Sequence, residues 1–176
     1  MIKYFVAAFI LLSATFAVAQ ASQGGANIFE EPRELPTREF MRSDGTFVKL
    51  TDFKNEFVIA LFWSRHCGPC LSELNTLQIF ADKTHADGIK LLLISPSNEW
   101  KSVDEQKEFL ARFGVNNLEF YIDKASNLAA DFGIFTSPNA VLINRAGQEI
   151  GRLRGSADWS DERVIEYIYK IKALHG

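Results

Sequence analysis

The chain is poor in the residues that build metal centres. Its 176 residues include two cysteines and three histidines, and His66, His85 and His175 stand at no spacing typical of ligands. A structural zinc site takes four ligands, usually two cysteine pairs or one pair joined by histidines, so that reading lacks half its donors. Charge of neither sign dominates: the formal net charge is −3. A nucleic-acid binder would carry a basic excess, and no nucleic-acid partner is expected. With five prolines, eleven glycines and no low-complexity stretch, the composition excludes a fibrous or largely disordered chain. Long apolar runs are missing after the N-terminal segment, so no later stretch is a candidate for crossing a membrane.

That N-terminal segment reads MIKYFVAAFILLSATFAVAQAS. Lys3 supplies a positive start, the residues from Tyr4 to Ala19 are mostly apolar, and Ala17-Val18-Ala19 forms a small-x-small cleavage site. This is the order of a secretory signal, with cleavage expected before Gln20 or Ser22. The alternative is an uncleaved anchor that tethers the protein to the membrane. Crossing a bilayer takes about 20 apolar residues, and this run is slightly short and rich in alanine, serine and threonine. The expected location is the periplasm or another extracytoplasmic space. Residues 1–19 are read as the signal, 20–36 as a loose polar leader and 37–176 as one domain, long enough to bury a core without staples.

Against this background the two cysteines stand out. Cys67 and Cys70 lie together in FWSRHCGPCLSEL, with only Gly68 and Pro69 between them. An exported protein meets oxidising surroundings, so a disulfide is expected. A structural staple is the plainest reading. Closing so short a loop stabilises by only about 2 kcal/mol, against about 4.7 kcal/mol for a loop of about 100 residues. The stronger reading is redox chemistry, because this spacing lowers the pKa of a thiol.

The flanks agree with it. FVIALFW, residues 57–63, is a continuous apolar run that predicts a strand buried on both faces. After the pair, Cys70, Leu74, Leu77 and Ala81 recur at helical spacing, and Pro69 sits where a first-turn proline is tolerated. Cys67 is therefore expected at a helix N-terminus, where free N–H groups and the helix dipole favour a thiolate. Cys70 falls on the apolar stripe, one turn deeper. Beyond the helix, strands are predicted at 89–95 and 118–122, and helices at 102–114, with a Ser102–Glu105 capping box, at 125–133 and from Ser160 to about Leu174. A hairpin is predicted at 139–155, turning near Ala146-Gly147, and another around Asp44-Gly45. The pattern is α/β, a mixed central sheet with helices on both faces.

Three stretches together, FWSRHCGPC, the proline in FGIFTSPNAVLIN and the closing GQEIGRLRG before a helix, resemble the thioredoxin fold. More narrowly, DGTFVKLTDFKNEFVIALFWSRHCGPCLSEL is similar to the TlpA/ResA/DsbE-like branch of exported thiol–disulfide oxidoreductases, over residues 29–174. The resemblance implies a thioredoxin fold with an N-terminal β-hairpin extension. It implies Cys67 as nucleophile, Cys70 as resolving thiol, Trp63 as the aromatic beside the pair, and a cis bond between Ser137 and Pro138, which would face the substrate. No cofactor is implied. Glu73 matches an acid thought to assist proton traffic at the cysteines, and Leu61 occupies the position where cytoplasmic thioredoxins carry a buried aspartate. An acid complementing the helix dipole is the competing reading of Glu73. His66 departs from the tryptophan common before the first cysteine. It is read either as an imidazolium that favours the thiolate or as an ordinary surface residue, as are His85 and His175.

The activity implied is thiol–disulfide exchange. Gly-Pro between the cysteines matches thioredoxin, whose couple lies near about −270 mV, against about −120 mV for the oxidant DsbA, so a reductant is expected. Its partners would be exported cysteine proteins, of the apocytochrome c or copper-site assembly type, and a membrane thiol reductase as electron donor. The alternatives are a disulfide oxidase or isomerase, and a copper(I) chaperone using the same thiols.

Overall fold

The computed structural model describes residues 25–176; the expected signal and the first residues of the leader lie outside the described residues. Eight strands form one sheet: β1 (Ala26–Glu34), β2 (Phe40–Arg42), β3 (Phe47–Val48), β4 (Phe57–Phe62), β5 (Ile89–Pro96), β6 (Phe120–Asp123), β7 (Asn139–Ile143) and β8 (Gln148–Arg154). Their order across the sheet is β1-β8-β7-β4-β5-β6-β2-β3. Strands β4, β5 and β6 run parallel, and every other neighbour pairs antiparallel. The sheet is mixed, as the sequence pattern predicts.

β4 lies at its centre. All six of its residues are buried, and they alternate between two hydrophobic clusters. Phe57, Ile59 and Leu61 join a core with residues of three helices, α1 (Gly68–Thr84), α2 (Val103–Arg112) and α4 (Glu162–His175). Val58, Ala60 and Phe62 face the other way. There they meet Leu35, Phe40, Leu50, Phe53 and the short helix α3 (Asn127–Asp131). A strand with both faces covered has no polar positions, which is why its sequence is a run rather than an alternation. Each of the larger side chains among them contributes about 1.5–3 kcal/mol on burial.

The hairpin at Asp44-Gly45 joins β2 to β3. Gly45 has φ +87°, and the Asp44 carboxylate accepts from the Thr46 N–H and hydroxyl at 2.8 and 2.6 Å. The second predicted hairpin turns at 144–147, where Gln148 N donates to Asn144 Oδ1 at 2.9 Å.

Two expectations change. The leader is expected to be loose, yet residues 26–34 form a strand against the free edge of β8, with a register shift between Ile28 and Arg33. Gly151 makes the approach possible, since a Cβ there would lie 2.7 Å from the Asn27 carbonyl. The capping box at α2 is half formed. Ser102 Oγ accepts from Glu105 N at 3.1 Å, but the Glu105 carboxylate reaches past Ser102 to the Lys101 N–H at 2.7 Å. Gln106, the polar residue on the apolar face of α2, is buried and donates to Ser95 Oγ at 2.9 Å.

Candidate active site

Sheet register assembles the site. β4 and β7 pair as far as Phe62 opposite Asn139, so the residue after Phe62 and the residue before Asn139, Trp63 and Pro138, flank the same end of this pair. Trp63 N still bonds the Ile94 carbonyl at 3.0 Å. The chain then turns through Ser64, Arg65 and His66 into α1, whose N-cap is Cys67.

Cys67 and Cys70 form a disulfide, with 5.2 Å between their Cα atoms. Cys67 Sγ accepts from the Cys70 N–H at 3.2 Å, as a cap residue does, and lies 3.4 Å from the Ser137 carbonyl oxygen. Cys67 is partly exposed and Cys70 fully buried. The Ser137–Pro138 bond is cis, Ser137 is exposed and Pro138 is buried. A sulfur at a helix N-terminus, open to one side and beside the backbone of an exposed residue, can attack a disulfide presented by an extended chain.

Trp63 lies beneath this surface. It is 1% exposed, packs against Trp100 and Phe109 at 5.7 and 6.3 Å, and forms part of the floor of a groove of about 430 Å³ that Ser137 and Phe135 also line. It lends the groove support from below, with almost no surface of its own. Leu61 is buried in the same core as Cys70, so no strand carboxylate reaches the pair from that position.

Glu73 does not behave as a dipole-complementing surface acid. It is 2% exposed and lies beyond the first turn of α1. Burial pushes its carboxyl up to about 7, against the opposing pull of the Ala157 N–H and the Trp159 indole. Both donate to Oε2, at 3.0 and 3.1 Å, and Oε1 is buried without a partner.

The loop before Cys67 is held by residues the sequence did not flag. The Glu99 carboxylate accepts from Ser64 Oγ at 2.6 Å and from Arg65 N at 2.8 Å. Arg65 Nη1 donates to the Glu99 carbonyl and to Glu105 Oε1, both at 2.9 Å, and its guanidinium lies over the rings of Trp100 and Phe109. The Lys101 N–H and Arg65 together hold the Glu105 carboxyl below its usual range. His66 is exposed, and only its backbone N–H is engaged, by Ser64 Oγ at 3.1 Å. Nothing local in the sequence singles out Glu99 or Trp159. Among the described residues, no three His, Cys, Asp or Glu side chains come together as a metal site, and no helix is long and apolar enough to cross a membrane.

Comparison with known proteins bears on this geometry. Residues 31–168 match the model of the Redoxin family. The chain is 24% identical over 139 residues to the thiol-disulfide oxidoreductase ResA of Bacillus thuringiensis subsp. konkukian, across 79% of this chain and 77% of that protein. It is 26% identical over 148 residues to the sporulation thiol-disulfide oxidoreductase A of Bacillus subtilis, across 79% and 87%. Among solved structures, a secreted thiol-disulfide isomerase from Corynebacterium glutamicum superposes with a TM-score of 0.66 at 22% identity, over 80% of this chain and 92% of that one. StoA from Bacillus subtilis does so with a TM-score of 0.60 at 22% identity, over 76% and 98%. These superpositions establish the thioredoxin-like fold.

Proposed function

The chain belongs to the Redoxin family and is a thiol–disulfide oxidoreductase; we propose that it runs in the reducing direction, outside the cytoplasm, on disulfides of exported cysteine proteins. Reduced Cys67, as thiolate, attacks one sulfur of a substrate disulfide. The substrate S–S bond breaks, a mixed disulfide forms, and the leaving sulfur takes up a proton. Cys70 then gives its proton to Glu73 and attacks the Cys67 sulfur. The mixed disulfide breaks, the second substrate sulfur leaves as a thiolate and takes up a proton from water, Glu73 gives its proton back to water, and the substrate departs as a dithiol while the Cys67–Cys70 disulfide remains. Two electrons have passed from this chain to the substrate, and a membrane thiol reductase would restore them. Ser137 and Pro138 would hold the backbone beside the target cysteine, with Trp63 beneath them.

The observation that carries the reading is the placement of Cys67 Sγ, capping α1 and 3.4 Å from the carbonyl oxygen of the exposed residue Ser137. The named activity of the ResA relative supports thiol–disulfide exchange, and the Gly68-Pro69 spacer, which matches thioredoxin, supports the reducing direction. Apocytochrome c and copper-site assembly proteins are the substrate types proposed.

The test is a Cys70→Ser trap offered to extracts of exported proteins, with captured partners identified by mass spectrometry. Covalent partners joined at Cys67 are expected, and none at all would overturn the exchange reading. A redox titration decides direction. A couple near about −270 mV supports a reductant, and one near about −120 mV an oxidant.

A further inference from the structure

The segment 155–159 leaves β8 and runs back over α1 before α4 begins. At one end the Gly155 N–H donates to the Pro138 carbonyl at 3.1 Å. At the other, Trp159 N donates to Thr76 Oγ1 at 3.2 Å, and that hydroxyl donates to the Glu73 carbonyl at 2.7 Å. The Trp159 ring is buried, edge-on to Phe80 at 5.4 Å. Between these anchors, the Ala157 N–H and the Trp159 indole converge on one oxygen of the Glu73 carboxylate, and the other oxygen has no partner.

We infer that Trp159 is a positioning residue that fixes the proton of Glu73 on Oε1 and sets how readily that proton leaves. The inference rests on the reading of Glu73 as the proton acceptor of Cys70. It follows from hydrogen-bond inventory. A protonated carboxyl has one hydroxyl oxygen and one carbonyl oxygen. An oxygen that already receives two N–H groups must be the carbonyl, which leaves Oε1 for the proton. On ionisation both N–H bonds remain and strengthen, because their acceptor is now charged. Cys70 shares the helix with Glu73, three residues away. Otherwise the groups acting on the carboxyl are the Ala157 N–H and the Trp159 indole, and among the described residues no charged side chain contributes. The Ala157 donor is backbone, so the indole is the donor that a side-chain change can remove.

The test is 15N–1H NMR of the oxidised protein, in which the cysteines hold no thiol to titrate. The Trp159 indole signal, assigned by its loss in Trp159→Phe, is expected to move downfield in one step with a midpoint near about 7. The signals of Trp63 and Trp100 serve as references, and the step is expected to vanish in Glu73→Gln. An indole that stays flat through this range overturns the inference. In the reduced protein, Trp159→Phe is expected to raise the pH midpoint of mixed-disulfide resolution by about one unit, with attack by Cys67 unchanged. An unmoved midpoint also overturns it. If the indole titrates while Glu73→Gln leaves resolution untouched, the placement of the proton stands and the acid–base reading of Glu73 falls. Should Trp159→Phe not fold, triple-resonance assignment of the wild-type protein identifies the indole, and the wild-type titration still reads the bond.

Discussion

Glu73→Gln is expected to stabilise the oxidised protein in mildly alkaline solution and to change it little in acid. The Glu73 carboxyl is raised from an ordinary 4.5 to about 7 by burial, opposed by two N–H donors. A carboxyl whose folded value lies above its unfolded value binds its proton more tightly in the folded state. Its contribution to stability is complete below the unfolded value and is lost as the pH rises through the folded one. At 1.36 kcal/mol per unit, a gap of about two and a half units is worth about 3 kcal/mol. Glutamine has no proton to lose. Its carbonyl can accept from Ala157 and Trp159 as Oε2 does, and its amide nitrogen takes the unpartnered place of Oε1. The assay is urea unfolding of both oxidised proteins at about pH 5 and about pH 8, where the stability of the variant relative to wild type is expected to grow by about 2.5 kcal/mol between the two. A relative stability that stays constant, or that moves toward wild type as the pH rises, would refute the claim that a buried carboxyl with no cationic partner governs this part of the stability curve. The same variant is expected to resolve mixed disulfides more slowly, so the gain in stability accompanies a loss of function.

Further outcomes follow from other contacts. Glu99→Ala removes the acceptor of the Ser64 hydroxyl and the Arg65 N–H; a loss of about 1–3 kcal/mol in denaturant titration and faster amide exchange at Arg65 are expected. Glu149 is 3% exposed and is bonded by Arg152, which also reaches the Phe132 carbonyl at 2.7 Å. Arg152→Leu, which strands that charge, is expected to cost about 3–5 kcal/mol, and adding Glu149→Leu to restore much of it, in thermal or urea unfolding. Gly151→Ala sets a Cβ against the Asn27 carbonyl; hydrogen exchange should show residues 26–28 losing protection while β4 keeps its own.

What could be read from the sequence was whatever burial writes as a pattern. β4 shows as an unbroken apolar run because both of its faces are covered, and α1 shows through the helical recurrence of Cys70, Leu74, Leu77 and Ala81. β1 escaped because its side chains are mostly exposed. It is held by backbone bonds to β8, and backbone bonds leave no trace in side-chain chemistry. Glu99 and Trp159 escaped for another reason: each acts across more than 30 residues, Glu99 on Ser64 and Trp159 on Glu73. Nothing local marks a carboxylate or an indole as aimed at a distant loop. Pro138 was legible only through its resemblance to a familiar motif, since proline alone does not declare a cis bond.

The position of Glu73 explains why burial suits its proposed chemistry. A free thiol has a pKa of about 8.5 and a free glutamate about 4.3, so the acid would have to take a proton uphill by about four units, or about 5.5 kcal/mol. With the carboxyl raised to about 7, it stands about two and a half units closer to a free thiol, or about 3.5 kcal/mol, while about half the molecules still carry the basic form at neutral pH. A cation beside Glu73 would undo this by lowering the carboxyl again, and none is near enough to do so. The site therefore divides its two demands. In the proposed cycle the sulfur that would meet the substrate caps α1 with one side open, while the sulfur that would close the cycle is buried one turn deeper on the same helix as an acid withdrawn from water. Exposing Glu73 to solvent would return it toward its ordinary value. The resolution step would then slow, even with both cysteines and the Ser137–Pro138 turn left in place.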